Sequence, residues 1–540
     1  MRRLPAADCL MARRRPGSLG GRRYSRVLLL HTMSYRIVWF KRDLRLHDHA
    51  PLVEAARAGA VLCLYVVEPD LWAQPDASAR QWGFVRESLR DLRRALAERG
   101  ARLQLVVGDV MAVLDRLHAL QPFEALHAHE ETGNGWTYDR DRAVARWCRA
   151  HGVAWREWPQ NGVVRGLRER DGWQSRRDAF VAGPVAEAPP TWTNVDLPWD
   201  EPPPRDALAA VLTDADAPQR QRGGRNEGLQ ALQRFLAGGG ADYRRGMSSP
   251  LTAPDACSRL SPYLAWGCLS VREVDHATQA LLATPRLDRG QRQGLQAFRS
   301  RLAWHCHFMQ KLESEPELEW RNLHPGYDGL READWSDERF AALVQGRTGW
   351  PLVDACVAML RETGWLNFRM RAMLVSVAAY PLWLHWRPVG HWLARQFVDY
   401  EPGIHWSQLQ MQSGTTGINT TRVYNPLKQA RDQDPHGVFV RQWLPAMRRV
   451  PDAWLFEPWR MPPEAQARCG VVVGQGIPEP VVDLDAALRG SKARVHALRA
   501  RPEVQAGEVA VVQRHASRAG RREAPSRRRS AAERSQQELF

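Results

Sequence analysis

The sequence predicts two modules in series: an α/β domain built on a doubly wound parallel sheet, then a larger all-helical domain. Three observations carry this. Short apolar runs alternate with helix-length segments from Tyr35 to about residue 156, a proline-rich stretch then breaks the rhythm, and strand-like runs stop beyond Leu229. At 540 residues the chain has room for several domains of about 150 residues. Its 44% hydrophobic and 25% charged residues suit a globular protein rather than a disordered or membrane-spanning one.

Residues 36–40, 61–67, 103–107, 125–128 and 153–156 read as strands. Between them, 48–59, 78–99, 110–119 and 137–150 carry apolar residues at helical spacing. Strands joined by helices must run parallel and be covered on both faces. The turn after the first strand reads Lys41-Arg-Asp-Leu-Arg-Leu-His-Asp48, without G-x-G-x-x-G, so no standard dinucleotide site is expected there. Residues 33–180 form this module. Seven prolines between Pro184 and Pro204, followed by a polar, glycine-containing stretch, make 181–226 a long connector. Helices are expected at 229–237, 262–281, 292–313, 337–344, 351–363, 366–380 and 388–398, within a domain spanning 227–485.

The formal charge of +16 belongs mostly to the ends: residues 1–32 and 491–540 carry +7 each. Net charge therefore says little about a DNA-binding body. The leader 1–32 has only four consecutive apolar residues, Val27 to Leu30, too few for a signal peptide or a membrane helix. It reads as a flexible arm or as sequence upstream of the true start. The tail 486–540 is basic, poor in large apolar residues, and expected to be disordered. Eight cysteines without a C-x-x-C pair exclude a disulfide scaffold and point to the cytoplasm. A monomer is the default expectation. The 23 tryptophans, against 13 phenylalanines and 10 tyrosines, call for an explanation.

Several segments can carry chemistry. Cys257-Ser-Arg-Leu-Ser261-Pro262 opens a helix with two hydroxyls, a cation and unpaired amides, which suits either plain capping or a phosphate nest. Gly346-Arg-Thr-Gly-Trp-Pro-Leu-Val-Asp354 sets two glycines before a helix with an acid on its first turn. Arg369 and Arg371 lie among apolar neighbours and need partners, with Asp399 and Glu401 the obvious candidates. Trp304-His-Cys-His307 imitates a metal motif, but residues at i and i+2 of a helix do not converge, so no metal is expected.

With these segments in place, the chain resembles the photolyase and cryptochrome family of blue-light flavoproteins. The resemblance rests on Ile37-Val-Trp-Phe-Lys-Arg-Asp-Leu-Arg-Leu46, Ser258-Arg-Leu-Ser-Pro-Tyr-Leu-Ala-Trp-Gly267, Gly346-Arg-Thr-Gly-Trp-Pro-Leu-Val-Asp-Ala355, Tyr424-Asn-Pro426 and Phe439-Val-Arg-Gln-Trp-Leu-Pro445, in order over about residues 35–460. It implies non-covalent FAD, folded over within the helical domain. Tyr243, Cys257, Ser258, Arg259, Leu260 and Ser261 would line its ribityl and phosphate region, with Cys257 where the family often has Thr. Arg371 and Asp399 would form the ion pair beside the flavin ring, next to Tyr400. Glu401 stands where Asp is usual, and His405 where an Asn faces flavin N5.

The departures bear on function. Arg301 replaces a base-contacting Glu, Phe368 an Asn, and Ala372 a Met, while the paired histidines of a (6-4) photolyase are missing. Trp304, Trp350 and Arg369 would flank the lesion cavity, with Arg347 and Arg441 candidates for phosphate contacts. Of the family's tryptophan relay, Trp386 and Trp335 match the middle and outer members, but the flavin-proximal member is Leu409. Trp406 or Trp383 is then the candidate first step, or simply a packing residue. No iron–sulfur ligand pattern is present. An antenna pigment, folate or deazaflavin, would lie against His129-Glu-Glu-Thr-Gly-Asn-Gly-Trp136. The resemblance implies a deoxyribodipyrimidine photo-lyase that repairs cyclobutane dimers in DNA. The alternatives are a cryptochrome-like photoreceptor with a protein signalling partner, or a flavoprotein whose tails alone touch nucleic acid.

Overall fold

The computed structural model describes residues 34–195, 197, 208–418 and 422–515. The leader 1–32, Met33, Trp199 with most of the proline-rich part of the connector, and the tail from 516 onward lie outside the described residues. Strands β1 (Tyr35–Phe40), β2 (Ala60–Val67), β3 (Leu103–Val107), β4 (Ala125–His129) and β5 (Ala154–Trp158) form one parallel sheet in the order β3-β2-β1-β4-β5. Val38 sits opposite Cys63 on one side and His127 on the other. Every residue of β2 is buried, which explains why it reads as an unbroken apolar run rather than an alternating one. Helices Ala50–Ala58, Ala79–Ala97, Val110–Leu120 and Gly135–Ala150 cover the sheet, the second opened by a capping box of Ser78 and Gln81.

The strand order reverses between β1 and β4, so the carboxyl ends of these strands frame the crevice where open α/β sheets bind ligands. Here charged side chains fill that crevice. Lys41 lies 2.5 Å from Asp141, Arg140 joins Glu68 at 2.8 Å and Glu131 at 2.7 Å, and the space left is about 60 Å³. The Lys41–Asp48 turn docks the two domains instead of binding a nucleotide. Arg42 donates to the carbonyls of Ala265 and Tyr400 and lies 4.5 Å over the Trp266 ring, while Arg45 donates to the carbonyl of Gly267. Gly267 is required there: its φ is +63°, and a Cβ would meet the Arg42 carbonyl oxygen at 2.1 Å. The connector ties both modules, with Arg220 paired to Glu87 and the Gln219 amide donating to Glu362.

In the helical domain the expected 262–281 helix is two, Ser261–Ala265 and Val271–Leu282, interrupted at Gly267 by that close approach. The helices that matter for the site are Arg289–Ser314, Phe368–Ala379, Trp386–Gln396 and Pro402–Ser413. The last comes from the amide-rich stretch after Asp399 and starts with proline in its first turn. Its Gly403 packs on the backbone of Met309, where a Cβ would lie 2.7 Å from the Cα.

The C-terminal region corrects the sequence reading. Residues 486–515, expected to be disordered, form helices Leu484–Arg499 and Pro502–His515. Few large apolar residues suffice because Leu484, Leu488 and Val495 fall on one buried face. Val504 is also buried, and the His324 Nε2–H donates to its carbonyl. No helix of the described residues is long and apolar enough to cross a membrane. Ending the chain after Gly490 removes Val495 and Val504, each worth about 1.5–3 kcal/mol of burial, and is expected to lower the urea midpoint. A chain ended after His515 keeps both contacts and serves as the control.

Candidate functional site

Helices Arg289–Ser314, Phe368–Ala379 and Pro402–Ser413, with the 257–261 segment, enclose a cavity of about 860 Å³, the size of sites that bury a large small molecule. The first helix presents Phe298, Arg301, His305 and Phe308 at spacings of three and four, and Trp304 beside them. The third presents His405, Gln408, Leu409 and Gln412. Tyr243, Cys257, Ser258, Leu260 and Ser261 line the same space, as do Arg371, Asp399, Tyr400 and Glu401. Phe368 and Arg369 line it too, and Phe368 is 42% exposed.

Arg259 does not line the cavity. It adopts φ +55°, stacks 4.0 Å over Trp365 and donates from Nε to Gln221. Its backbone still contributes, because a left-handed residue followed by right-handed Leu260 is the conformation in which successive amides converge on an anion.

Arg371 donates to Asp399 at 2.7 Å and to the Leu366 carbonyl at 2.7 Å, and packs on Phe397. His305 Nε2–H donates to Glu401 at 3.0 Å. Burial alone would lower the His305 pKa, but hydrogen bonds to the Cys306 thiol and the Glu401 carboxylate outweigh it and push the ring up to about 10. His405 behaves oppositely. Burial holds it down to about 3, and since its Nε2 faces the Gly390 carbonyl at 2.9 Å, the neutral ring carries its proton there. Asn367 Oδ1, Arg369 Nε, Asp399 Oδ1, Gln408 Nε2 and Gln412 Oε1 are buried without a hydrogen-bond partner. Such atoms cost about 1–3 kcal/mol each, and a polar, flat cofactor with ribityl and phosphate groups would relieve them. The residues present fit FAD.

Other expected site residues lie elsewhere. Trp350 is fully buried at the start of helix Pro351–Thr363 and does not line the cavity. Arg347 is exposed on the preceding loop, which Asp354 closes by accepting from the Thr348 amide and hydroxyl and the Gly349 amide. That motif is a structural turn. Arg441 pairs with Asp452. Trp406 is fully buried behind His405, with ring centroids 5.0 Å apart, and lies 5.9 Å from Trp386. Trp386 borders a second cleft, of about 1050 Å³, with Trp320, Phe340 and Trp392. Trp335 packs on Phe340 at 5.0 Å instead of on Trp386. Trp383 donates to Asp334 and lies between Arg331 and Arg494 rather than at the cavity.

The 129–136 segment borders the sheet crevice and, through Gly135 against Trp320, adjoins the second cleft. Glu131 accepts from the amides of Thr132 and Gly133 and from Arg140, and Asn134 donates to Asp76. The sheet crevice, about 60 Å³, is several-fold too small for a folate or deazaflavin. Asp43, His49 and His129 converge there with metal-like spacing. However, His49 Nδ1 accepts from the Leu52 amide, so its Nε2 carries the proton and donates to Asp43. The cluster is a hydrogen-bonded hub, since a metal on Nε2 would demand an imidazolate.

Sequence reasoning passed over His305, Gln408 and Gln412. Counting three and four residues from Arg301 and His405 along their helices would have placed all three on the cavity face.

The raised His305 makes stability depend on pH. A group lifted above its ordinary 6.5 contributes fully below that pH and loses the contribution as pH rises through about 10. Urea midpoints of the wild type should fall between pH 6.5 and 10 by more than those of Glu401→Gln, which lacks the charged partner. Parallel curves would remove the ion pair from this account.

The chain is similar to known proteins. The FAD binding domain of DNA photolyase matches residues 298–497, and the DNA photolyase domain matches residues 36–167. A cryptochrome DASH of Gloeobacter violaceus is 31% identical over 484 residues, covering 83% of this chain and 93% of its own length. A deoxyribodipyrimidine photo-lyase of Agrobacterium fabrum is 27% identical over 481 residues, covering 83% of this chain and 94% of its own. The crystal structure of a class III photolyase from Agrobacterium tumefaciens superimposes with a TM-score of 0.75 at 25% identity, covering 88% of this chain and all of that one. A Synechocystis cryptochrome shares the fold with the same TM-score at 23% identity, covering 86% of this chain and 99% of that one. With a relative 31% identical over most of both chains and a match of residues 298–497 to the FAD binding domain of DNA photolyase, this chain belongs to the photolyase/cryptochrome family.

Proposed function

We propose that the protein is a light-driven DNA lyase that splits cyclobutane pyrimidine dimers. The observation that carries this reading is the shared cavity, which joins the cofactor-side residues Ser258, Arg371 and Asp399 to Arg301, Trp304 and Phe368. When bound, FAD supplies the photoexcited electron that opens the cyclobutane ring. The protein's own part is positioning and exclusion of water. Ser258, Ser261 and the 259–261 amides hold the pyrophosphate, while Arg371, fixed by Asp399, orients the ring. Trp304 and half-exposed Phe368 offer aromatic faces to a flipped-out base pair. Arg301 lies 5.2 Å over the Trp304 ring. Arginine can only donate, so in place of an acid it reads the carbonyl oxygens of the bases. Arg369 is suited to a phosphate. A folate or deazaflavin antenna has room in the cleft beside Trp320 and Trp392.

One observation favours a second reading, a cryptochrome-like photoreceptor. Val511 and Arg514 of helix Pro502–His515 line the same cleft as Trp386, which sets a C-terminal element beside the buried tryptophan pair. Illuminating the photoreduced protein with dimer-containing single- and double-stranded DNA decides between the two. Restored thymines support repair; their absence, with light-dependent protease cutting of that helix, supports sensing.

The ring contacts also define a route for photoreduction. It runs from the cavity wall at His405 and Leu409 to Trp406, then Trp386, then the cleft. Under blue light with an external reductant and at matched FAD content, Trp386→Phe should reduce most slowly and Trp406→Phe more slowly than wild type. Trp383→Phe and Trp335→Phe should be unchanged. Wild-type rates in the first two would show that electrons travel another way.

A further inference from the structure

Helix Arg289–Ser314 carries a stripe of side chains that no role above uses. Trp304, His307 and Lys311 fall at i, i+3 and i+7, so they share one face that starts at the cavity wall and runs away from it. The loop after β5 is held against this helix. Val164 and Gln310 exchange two hydrogen bonds, and Arg165 pairs with Glu313 at 2.9 Å. Arg170 lies 5.3 Å over the Trp173 ring and donates to His307 Nδ1 at 2.5 Å. A guanidinium cannot accept, so the proton of the His307 ring sits on Nε2. Lys311 is only 6% exposed. Lysine is almost never buried without a partner, and Lys41, which is also buried, has Asp141 at 2.5 Å. Lys311 has no such partner. Neither its Nζ nor His307 Nε2 bonds to any described residue, and neither atom is sealed from solvent. Burial and the Arg170 charge push the Lys311 amine down to about 8, burial and both cations hold the His307 ring down to about 3, and no carboxylate opposes them.

We propose that Arg170, His307 and Lys311 form an oxyanion site that holds a phosphate group. What lies between these three side chains meets only donors: a guanidinium, an imidazole N–H and an amine. A phosphate is anionic and rich in acceptors, so it satisfies all three, and it supplies the negative charge that the buried lysine lacks. Two sources share this chemistry, a backbone phosphate of a DNA strand and free phosphate. Lys311 lies about 10 Å along the helix from Trp304 at the cavity, which makes the backbone beside the lesion cavity the nearer source. The DNA source rests on the repair reading, whereas the oxyanion site itself does not.

The test uses the full FAD-loaded chain in the dark. One arm measures affinity for a single-stranded, dimer-containing oligonucleotide by fluorescence anisotropy over a series of chloride concentrations. The other compares melting temperatures in inorganic phosphate and in chloride at equal ionic strength. Lys311→Met keeps the apolar stem and removes the ammonium. It should bind the oligonucleotide about tenfold more weakly at low salt, the low end for a hydrogen bond to a charged group. Its log–log salt slope should be shallower by about 0.7, the loss of one phosphate contact on a single strand. In chloride without DNA it should melt no lower than wild type, because an unpaired buried charge has gone. Arg170→Gln, which still donates to His307, should flatten the slope in the same way, and it decides if Lys311→Met does not fold. Loss of the phosphate-specific rise in melting temperature with the DNA slope intact assigns the site to free phosphate. If both variants keep the wild-type slope and the wild-type response to phosphate, the proposal is overturned. Failure of the repair reading looks different: the wild-type chain would bind dimer-containing DNA no better than undamaged DNA, and the phosphate arm alone then decides.

Discussion

The site depends on the contact of two helices at Gly403. With no side chain there, helix Pro402–Ser413 lies directly on the Phe308–Met309 backbone, and any Cβ would force the two apart. That contact brings Glu401, at the entry of one helix, within hydrogen-bond distance of His305 in the other. It also turns His405 and Gln408 toward the space that Arg301 and Trp304 face. The loop after β1 closes the arrangement from behind, since Arg42 grips the Tyr400 carbonyl and lies beside Glu401. The α/β domain thus fixes the rear of the cavity even though its own crevice is filled.

Both domains bury charge, and they handle it differently. At the crevice between β1 and β4, Lys41, Arg140, Glu68, Glu131 and Asp141 pair with one another, with Glu68 Oε1 left without a partner. Buried charges are tolerable when every partner is another protein group in good geometry. In the helical cavity more polar atoms are left unpaired. Arg371 satisfies one oxygen of Asp399 and leaves the other bare, and the Gln408 and Gln412 amides keep unpaired atoms. Several unpaired polar atoms around a large cavity are stabilised by a molecule that completes them. The open-sheet crevice, the usual ligand position, is the less suitable of the two because it leaves only about 60 Å³ against about 860 Å³ in the helical domain.

The strands were legible in the sequence because each is a short apolar run bounded by polar turns, and all five lie within a residue or two of expectation. The C-terminal helices were not, because their burial rests on a few aliphatic residues in an arginine-rich background and on a docking partner, His324, far away in sequence. The cavity was half legible. Arg371 and Asp399 stood out as a cation and an acid needing each other. Nothing local indicated that Arg259 would turn away to Trp365, or that Trp350 would be sealed in the core, because both outcomes follow from tertiary contacts. Trp304-His-Cys-His307 shows the same limit: His305 faces Glu401 while His307 faces Arg170, as their angular separation on the helix demands.

Gly390 connects the two remaining peculiarities, the leucine at position 409 and the histidine at position 405. A Cβ on Gly390 would lie 2.5 Å from the Trp406 ring and 2.7 Å from the Leu409 side chain, so helix Trp386–Gln396 reaches Trp406 only because this residue is glycine. The close approach brings Trp386 to 5.9 Å from Trp406, and it also delivers the Gly390 carbonyl that fixes the His405 tautomer. A bulkier aromatic at position 409 would compete for the same volume. Leucine at the cavity wall and tryptophan one turn earlier are therefore parts of one packing solution. The aromatic route lies behind the wall rather than in it, and the ring between it and the cavity is the neutral imidazole of His405.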